Sequence, residues 1–226
     1  MSPHPIHATV AVVLQVREAR LQVLVWQRAK EPQSGRWALP GGTLASGESL
    51  EQSIRRHLAA KVDVQELSHL EQLETGVDGA AAPGWQVTTA YLGLVPTHLD
   101  PAIPADTRWH PVDALPPLAF DNDVTIERGC DRLRAKLSYT NLGFALAPPE
   151  FTVSELRTVY MAALGHAVSA TNLQRVLLRR GVLEQTGERR EPGPSGGRPA
   201  ALFRFRTRTL AITDQFAVLR PQRAGE

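Results

Sequence analysis

Leu50, Ile54 and Leu58 recur every four positions shortly after a glycine pair, Gly41-Gly42. That spacing places a single apolar stripe on a helix of about three turns, and the stripe must be buried against a neighbouring surface. The chain supplies such a surface just upstream. Residues 8–16 and 21–27 are apolar and β-branched on either side of the polar turn Arg17-Glu18-Ala19-Arg20, which predicts a β-hairpin. Ser49 stands where a helix N-cap belongs. Further strand patterns lie around 64–75 and 85–95, and a helical pattern returns over 124–137. Strands and helices interleave, so residues 1–147 are expected to form an α/β sandwich.

The stretch NLGFALAPPEF, beginning at Asn141, interrupts this pattern with paired prolines and sets the expected domain boundary between residues 147 and 148. Directly after it, Thr152 and Glu155 have the spacing of a capping box, with Phe151 and Leu156 placed as a hydrophobic staple. A helix is predicted from Val153 to about Leu164, stopped by Gly165. A second runs from Ser169 towards Gly181, with Leu173, Val176 and Leu177 on one side and Thr171, Asn172, Arg175 and Arg179 on the other. Two strand patterns around a Gly/Pro-rich tip follow, the pattern of a β-hairpin wing. Residues 148–226 are therefore expected to form a winged helix-turn-helix.

The charge distribution supports this division. The formal net charge of +2 conceals a difference in sign, since residues 150–226 hold 12 Arg and no Lys against 7 Asp and Glu, whereas residues 1–149 hold 13 Lys and Arg against 16 Asp and Glu. Guanidinium groups suit bidentate contacts to phosphate and guanine, so double-stranded DNA is the expected partner of the basic segment. Thr171, Asn172, Arg175, Arg179 and Arg180, with Arg198 and Arg204 from the wing, are the candidate DNA contacts. The plainer alternative is a solvated helical domain in which Arg179 and Arg180 only complement a helix C-terminus. The lone Cys130 forms no intramolecular disulfide, and no apolar run approaches the ~20 residues of a membrane span. The expected location is the cytoplasm.

From Gly42 the chain reads GTLASGESLEQSIRRHLAAKVDV, which resembles the Nudix box: G, five residues, E, seven residues, then R-E-U-x-E-E-x-G-U, with U apolar. Gly42, Glu48, Arg56, Leu58 and Val64 match without a gap. The family's metal-binding glutamates fall on His57, Ala60 and Lys61, and its glycine on Asp63. Positions 57, 60 and 61 share one helix face, where carboxylates would gather hard cations for pyrophosphate cleavage. An alanine offers no ligand, and an ammonium about 4 Å from a unit positive charge is repelled by about 4 kcal/mol at an effective dielectric near 20. No catalytic residue, metal ligand or required cofactor is expected. Arg28, Arg36 and Arg56 are the candidates for a nucleotide's phosphates, Trp37 and Phe120 for its flat faces, Gly41 and Gly42 for close backbone approach, and Glu48 for pairing with Arg56. The alternative makes Trp37 and Leu39 core and the arginines surface solvation.

A Nudix frame followed by a winged helix is similar to the NrtR family, Nudix-related transcriptional regulators of NAD metabolism. The resemblance covers nearly the entire chain and rests also on LEQLETGVD at Leu70, AYLGLVP at Ala90, LAFDNDVTI at Leu118, RLRAKLSYT at Arg132, FTVSELRTVY at Phe151 and GGRPAALFRF at Gly196. Asn122 replaces the histidine of the family's AFDH, so no role is carried onto it. The resemblance implies a Nudix-type α/β/α sandwich, a homodimer on palindromic operator DNA near NAD biosynthesis or salvage genes, repression, and a response to ADP-ribose or a related nucleotide. The rival readings are an active ADP-ribose or nucleotide-sugar pyrophosphatase with an accessory C-terminal domain, and a nucleotide sensor that binds a protein partner.

Overall fold

The computed structural model describes residues 6–78, 86–191 and 199–214. Packing divides the chain into two compact units, Met1–Arg132 and Leu133–Glu226. In the first, β1 (Ile6–Arg17) and β2 (Arg20–Gln27) form the expected hairpin. Its two turn residues, Glu18 and Ala19, both have positive φ, 51° and 58°. That backbone twist matches the twist of paired strands, which is why a Glu-Ala turn accepts the conformational cost. β3 (Trp37–Ala38), β4 (Gly41–Thr43), β5 (His69–Asp78), β6 (Gln86–Leu94) and β7 (Thr107–Pro111) complete a seven-stranded sheet. β1 is central, parallel to β6 and antiparallel to β2 and β4.

Alternation along β1 sorts the two faces of the sheet. Ala11 and Val13 belong to the core formed with Ile54, Leu58 and Val62 of α1 (Leu50–Val62). Val12 points the other way and meets Gly129 of α2 (Asn122–Tyr139), where a Cβ would lie 2.8 Å from its Cγ1. The result is the expected α/β/α sandwich. Ser49 caps α1 in a complete capping box with Gln52. Asp63, where the box pattern has glycine, takes the left-handed conformation (φ 53°) that ends the helix. Val64 then packs into the core as part of the exit loop, so the strand expected from 64 begins only at His69.

The second unit contains α3 (Val153–Leu164), α4 (Ala170–Arg179) and the hairpin of β8 (Leu183–Arg190) and β9 (Ala200–Phe205). Thr152 and Glu155 form both halves of the capping box, and Gly165 (φ 76°) stops α3 as expected. Phe151 pairs with Phe203 through two backbone bonds, so the chain entering α3 adds a bridge to the wing. Residues 140–147 also belong here: Asn141 donates to the Thr209 carbonyl and accepts from Ala211 N, while Arg208 donates to the Phe144 carbonyl. These long-range ties move the division of packing ahead of the boundary expected after residue 147. Leu142 and Phe144 are fully buried although they precede the prolines. Replacing Thr152 by Ala removes one capping acceptor and should cost about 1 kcal/mol of stability, read as a lower urea midpoint in circular dichroism.

Candidate nucleotide cleft and DNA-binding surface

In the first unit, the chain leaves β3 and runs back beside β1 as β4, which it can do only without side chains. A Cβ on Gly41 would stand 2.1 Å from the Thr9 carbonyl oxygen, and one on Gly42 would stand 2.4 Å from His57 Cε1. The glycine pair thus serves close approach to the protein's own β1 and α1. It also lines a cavity of about 850 Å³ with Arg28 and Phe120. The Arg28 guanidinium lies 4.7 Å from the centre of the Phe120 ring, and its Nε donates to the Pro32 carbonyl. Four expected residues are therefore brought together.

The other four are not among the cavity residues. Arg36 is exposed and donates to the Leu118 carbonyl, and Trp37 meets His110 edge to face, with ring centres 5.1 Å apart. Trp37 is turned there by β7, whose pairing with β2 brings in residues about 80 positions away. Glu48 and Arg56 form the expected pair. Arg56 Nη2 donates to Oε1 at 2.5 Å and Nε to Oε2 at 3.0 Å, while Ala45 N also donates to Oε1. These bonds, Arg56 first and the Ala45 amide next, hold the Glu48 carboxyl down to about 2.

The former carboxylate positions are occupied differently. His57 is buried, which disfavours its charged form, and its Nε2 donates to the Thr43 carbonyl at 3.0 Å. Ala60 is exposed and has no ligand atom. Lys61 Nζ donates to the Gly41 carbonyl at 2.6 Å and sits 4.7 Å from the Trp26 ring centre. Burial, followed by the charges of Arg28 and Arg56, lowers its pKa. A hard divalent cation needs several free oxygen ligands, and this set does not fit one. Among the described residues no group of three or more His, Cys, Asp and Glu side chains is placed to hold a metal ion.

Lys61, Trp26, Glu74, Arg128 and Asn122 line the cavity but were not expected there. Lys61 had a visible signal, since it follows His57 by four positions on the same helix face, but the sequence marks it only as a lost ligand and a charge that repels a cation. Asn122 accepts from Leu39 N at 2.8 Å, a tertiary contact that no local pattern announces.

In the second unit, α4 buries Leu173 and Leu177 and exposes Thr171, Asn172, Arg175 and Arg179. Arg175 Nη2 donates to Asn172 Oδ1 at 2.8 Å, which orders both side chains on the open face. Arg180 corrects the expected set. It donates to Asp214 Oδ2 and to the Ser138 carbonyl, both at 2.8 Å, and its side chain is only 14% exposed. Position 180 follows 173 and 177 at helical spacing and so continues the buried stripe. Arg204 lies on the wing opposite Glu184, which accepts its Nε at 2.7 Å. Arg198 lies outside the described residues.

Residues 5–128 match the Nudix domain and residues 143–205 the NrtR DNA-binding winged helix domain. Over 222 residues the chain is 32% identical to the ADPR responsive transcriptional repressor NtrR of Acinetobacter baylyi, covering 90% of this chain and 83% of that protein. The chain belongs to the NrtR family. Two solved structures extend the NrtR comparison. Shewanella oneidensis NrtR complexed with a 27mer DNA is 34% identical, with a TM-score of 0.76 over 88% of this chain and 93% of that one. The Nudix domain of the same NrtR, complexed with ADP ribose, is 33% identical, with a TM-score of 0.51 over 58% of this chain and 90% of that one. Among the described residues of this NrtR-family chain, no helix is long and apolar enough to cross a membrane.

The Glu48–Arg56 pair has a direct titration consequence. Because the folded pKa is lowered, its contribution is present above the ordinary value of 4.5 and is lost as pH falls towards about 2. In Arg56→Ala the Glu48 carboxyl should titrate back near the ordinary carboxylate range, as followed by carboxyl carbon NMR shifts.

Proposed function

We propose that this protein is a transcriptional repressor that binds operator DNA through its winged helix unit, answers to ADP-ribose in its Nudix cleft, and has no hydrolase activity. The observation that carries the reading is a retained cleft whose metal-binding positions hold His57, Ala60 and Lys61. A cleft of this kind binds without cleaving. The named relative from Acinetobacter baylyi supports the repressor role, and the two Shewanella oneidensis complexes support DNA and ADP-ribose as the partners.

In this reading, the α4 face of Thr171, Asn172, Arg175 and Arg179 enters the major groove. Arg204 contributes a wing contact, with Arg180 holding α4 in place. A homodimer would set two such helices about 34–36 Å apart on a palindromic operator in the cytoplasm, near genes of NAD biosynthesis or salvage. Arg28 and Phe120 face the bound nucleotide. Effector binding acts on DNA affinity only if the liganded and free states differ in affinity for the operator, and the coupling is reciprocal.

Fluorescence anisotropy on DNA from upstream of the host's NAD biosynthesis genes tests the reading. Specific binding should fall when ADP-ribose is added, and Mg²⁺ with ADP-ribose should release no AMP. Arg175→Ala should weaken specific binding by about 1–3 kcal/mol while leaving scrambled DNA nearly unaffected. Mg²⁺-dependent AMP release would instead establish the pyrophosphatase reading, and absence of any salt-sensitive DNA binding would favour a protein partner.

A further inference from the structure

Among the described residues that line the cavity, two partly buried cations, Arg28 and Lys61, stand without a carboxylate, while Lys30 is exposed to water. Arg28 gives its Nε to the Pro32 carbonyl, and Lys61 gives one of its three donors to the Gly41 carbonyl. Among the described residues neither is in an ion pair, whereas Arg56 is neutralised by Glu48. Of the carboxylates that line the cavity, Glu74 is held by Arg128 at 2.6 Å, and Glu31 and Asp121 are exposed to water. Lys61 is only partly exposed and packs on Trp26, so solvent screens its charge less than that of a surface lysine. Of the charges acting on it, that of Arg28 has no ion-pair partner among the described residues, and that of Arg56 is offset by Glu48. A partly desolvated ammonium among like charges is costly until an anion joins it.

We propose that Lys61 is the built-in counter-ion of this cleft: its ammonium takes the place that a divalent cation holds in hydrolytic Nudix boxes and binds the diphosphate of the effector directly. A diphosphate bridge brings one negative charge per phosphate, matched by the Lys61 ammonium and the Arg28 guanidinium. The same substitution that removes a metal ligand supplies one of the two positive charges the metal would have carried. Recognition becomes independent of divalent ions, and the ligand class is a diphosphate-bridged nucleotide rather than a nucleoside. This inference rests on the cleft being the effector site.

The test is isothermal titration calorimetry on the full chain with ADP-ribose, inorganic pyrophosphate and adenosine, each in EDTA and again in Mg²⁺. Wild type should bind ADP-ribose and pyrophosphate equally well in both media. Lys61→Met should weaken both by about tenfold to a hundredfold, the range for a lost charged hydrogen bond, and leave adenosine binding unchanged. Lys61→Arg, which keeps the charge, should recover much of the loss, and near-ultraviolet circular dichroism checks the fold of both variants. Unchanged ADP-ribose affinity in Lys61→Met, equal losses with adenosine, or wild-type binding only in Mg²⁺ would overturn the proposal. Pyrophosphate binding that depends on Lys61 without any ADP-ribose binding would keep the counter-ion role and sink the effector reading. ADP-ribose binding indifferent to Lys61 would do the reverse, and binding of neither ligand in either medium would sink both.

Discussion

The cleft exists because two consecutive residues have no Cβ. Gly41 lies against the Thr9 carbonyl and Gly42 against the His57 ring, so β4 can pass between β1 and α1 at distances no other residue type allows. That passage fixes three things at once. It brings the Gly41 carbonyl to Lys61 Nζ, places the Thr43 carbonyl within reach of both His57 and Arg56, and sets the loop in which Ala45 and Glu48 meet. A side chain at either glycine would disturb the sheet and the helix together.

Once the carboxylates of the helix are gone, the remaining members of the box rearrange around one another. Glu48 spends both oxygens on Arg56 and a backbone amide, which leaves Arg56 neutralised and Lys61 not. Electrostatics inside the cleft is thereby inverted. Where a hydrolase gathers negative charge to hold a cation, this chain lines the cavity with Arg28 and Lys61.

Elements set by near neighbours were legible in the sequence. The β1–β2 hairpin, the Ser49 cap, the Thr152–Glu155 capping box and the Gly165 stop are decided within a few residues, and each appears where its pattern placed it. Site residues were legible only in part, because their direction depends on strands far away in the chain. Trp37 looked like a stacking platform until β7 supplied His110 beside it. Arg180 is a different case: its spacing from Leu173 and Leu177 already placed it on the packed side, but its charge drew it into the DNA-facing set. Lys61 was visible as a lost ligand and as a charge that repels a cation, but not as a residue that lines the cavity.

Residues 206–212, which follow β9, are exposed, yet the stretch 206–214 ties much of the second unit together. Asp214 takes the Arg180 guanidinium, Thr213 N and Asp214 N reach the Tyr139 carbonyl, and Thr209 and Ala211 bind Asn141. A fragment cut at residue 205, where the match to the winged helix domain ends, would carry every exposed residue of α4 and still strand a guanidinium in a site built for a pair. Trimming or proteolysis between Phe205 and Asp214 would then release the end of α4 from its ion pair without removing a single atom from the exposed face of that helix.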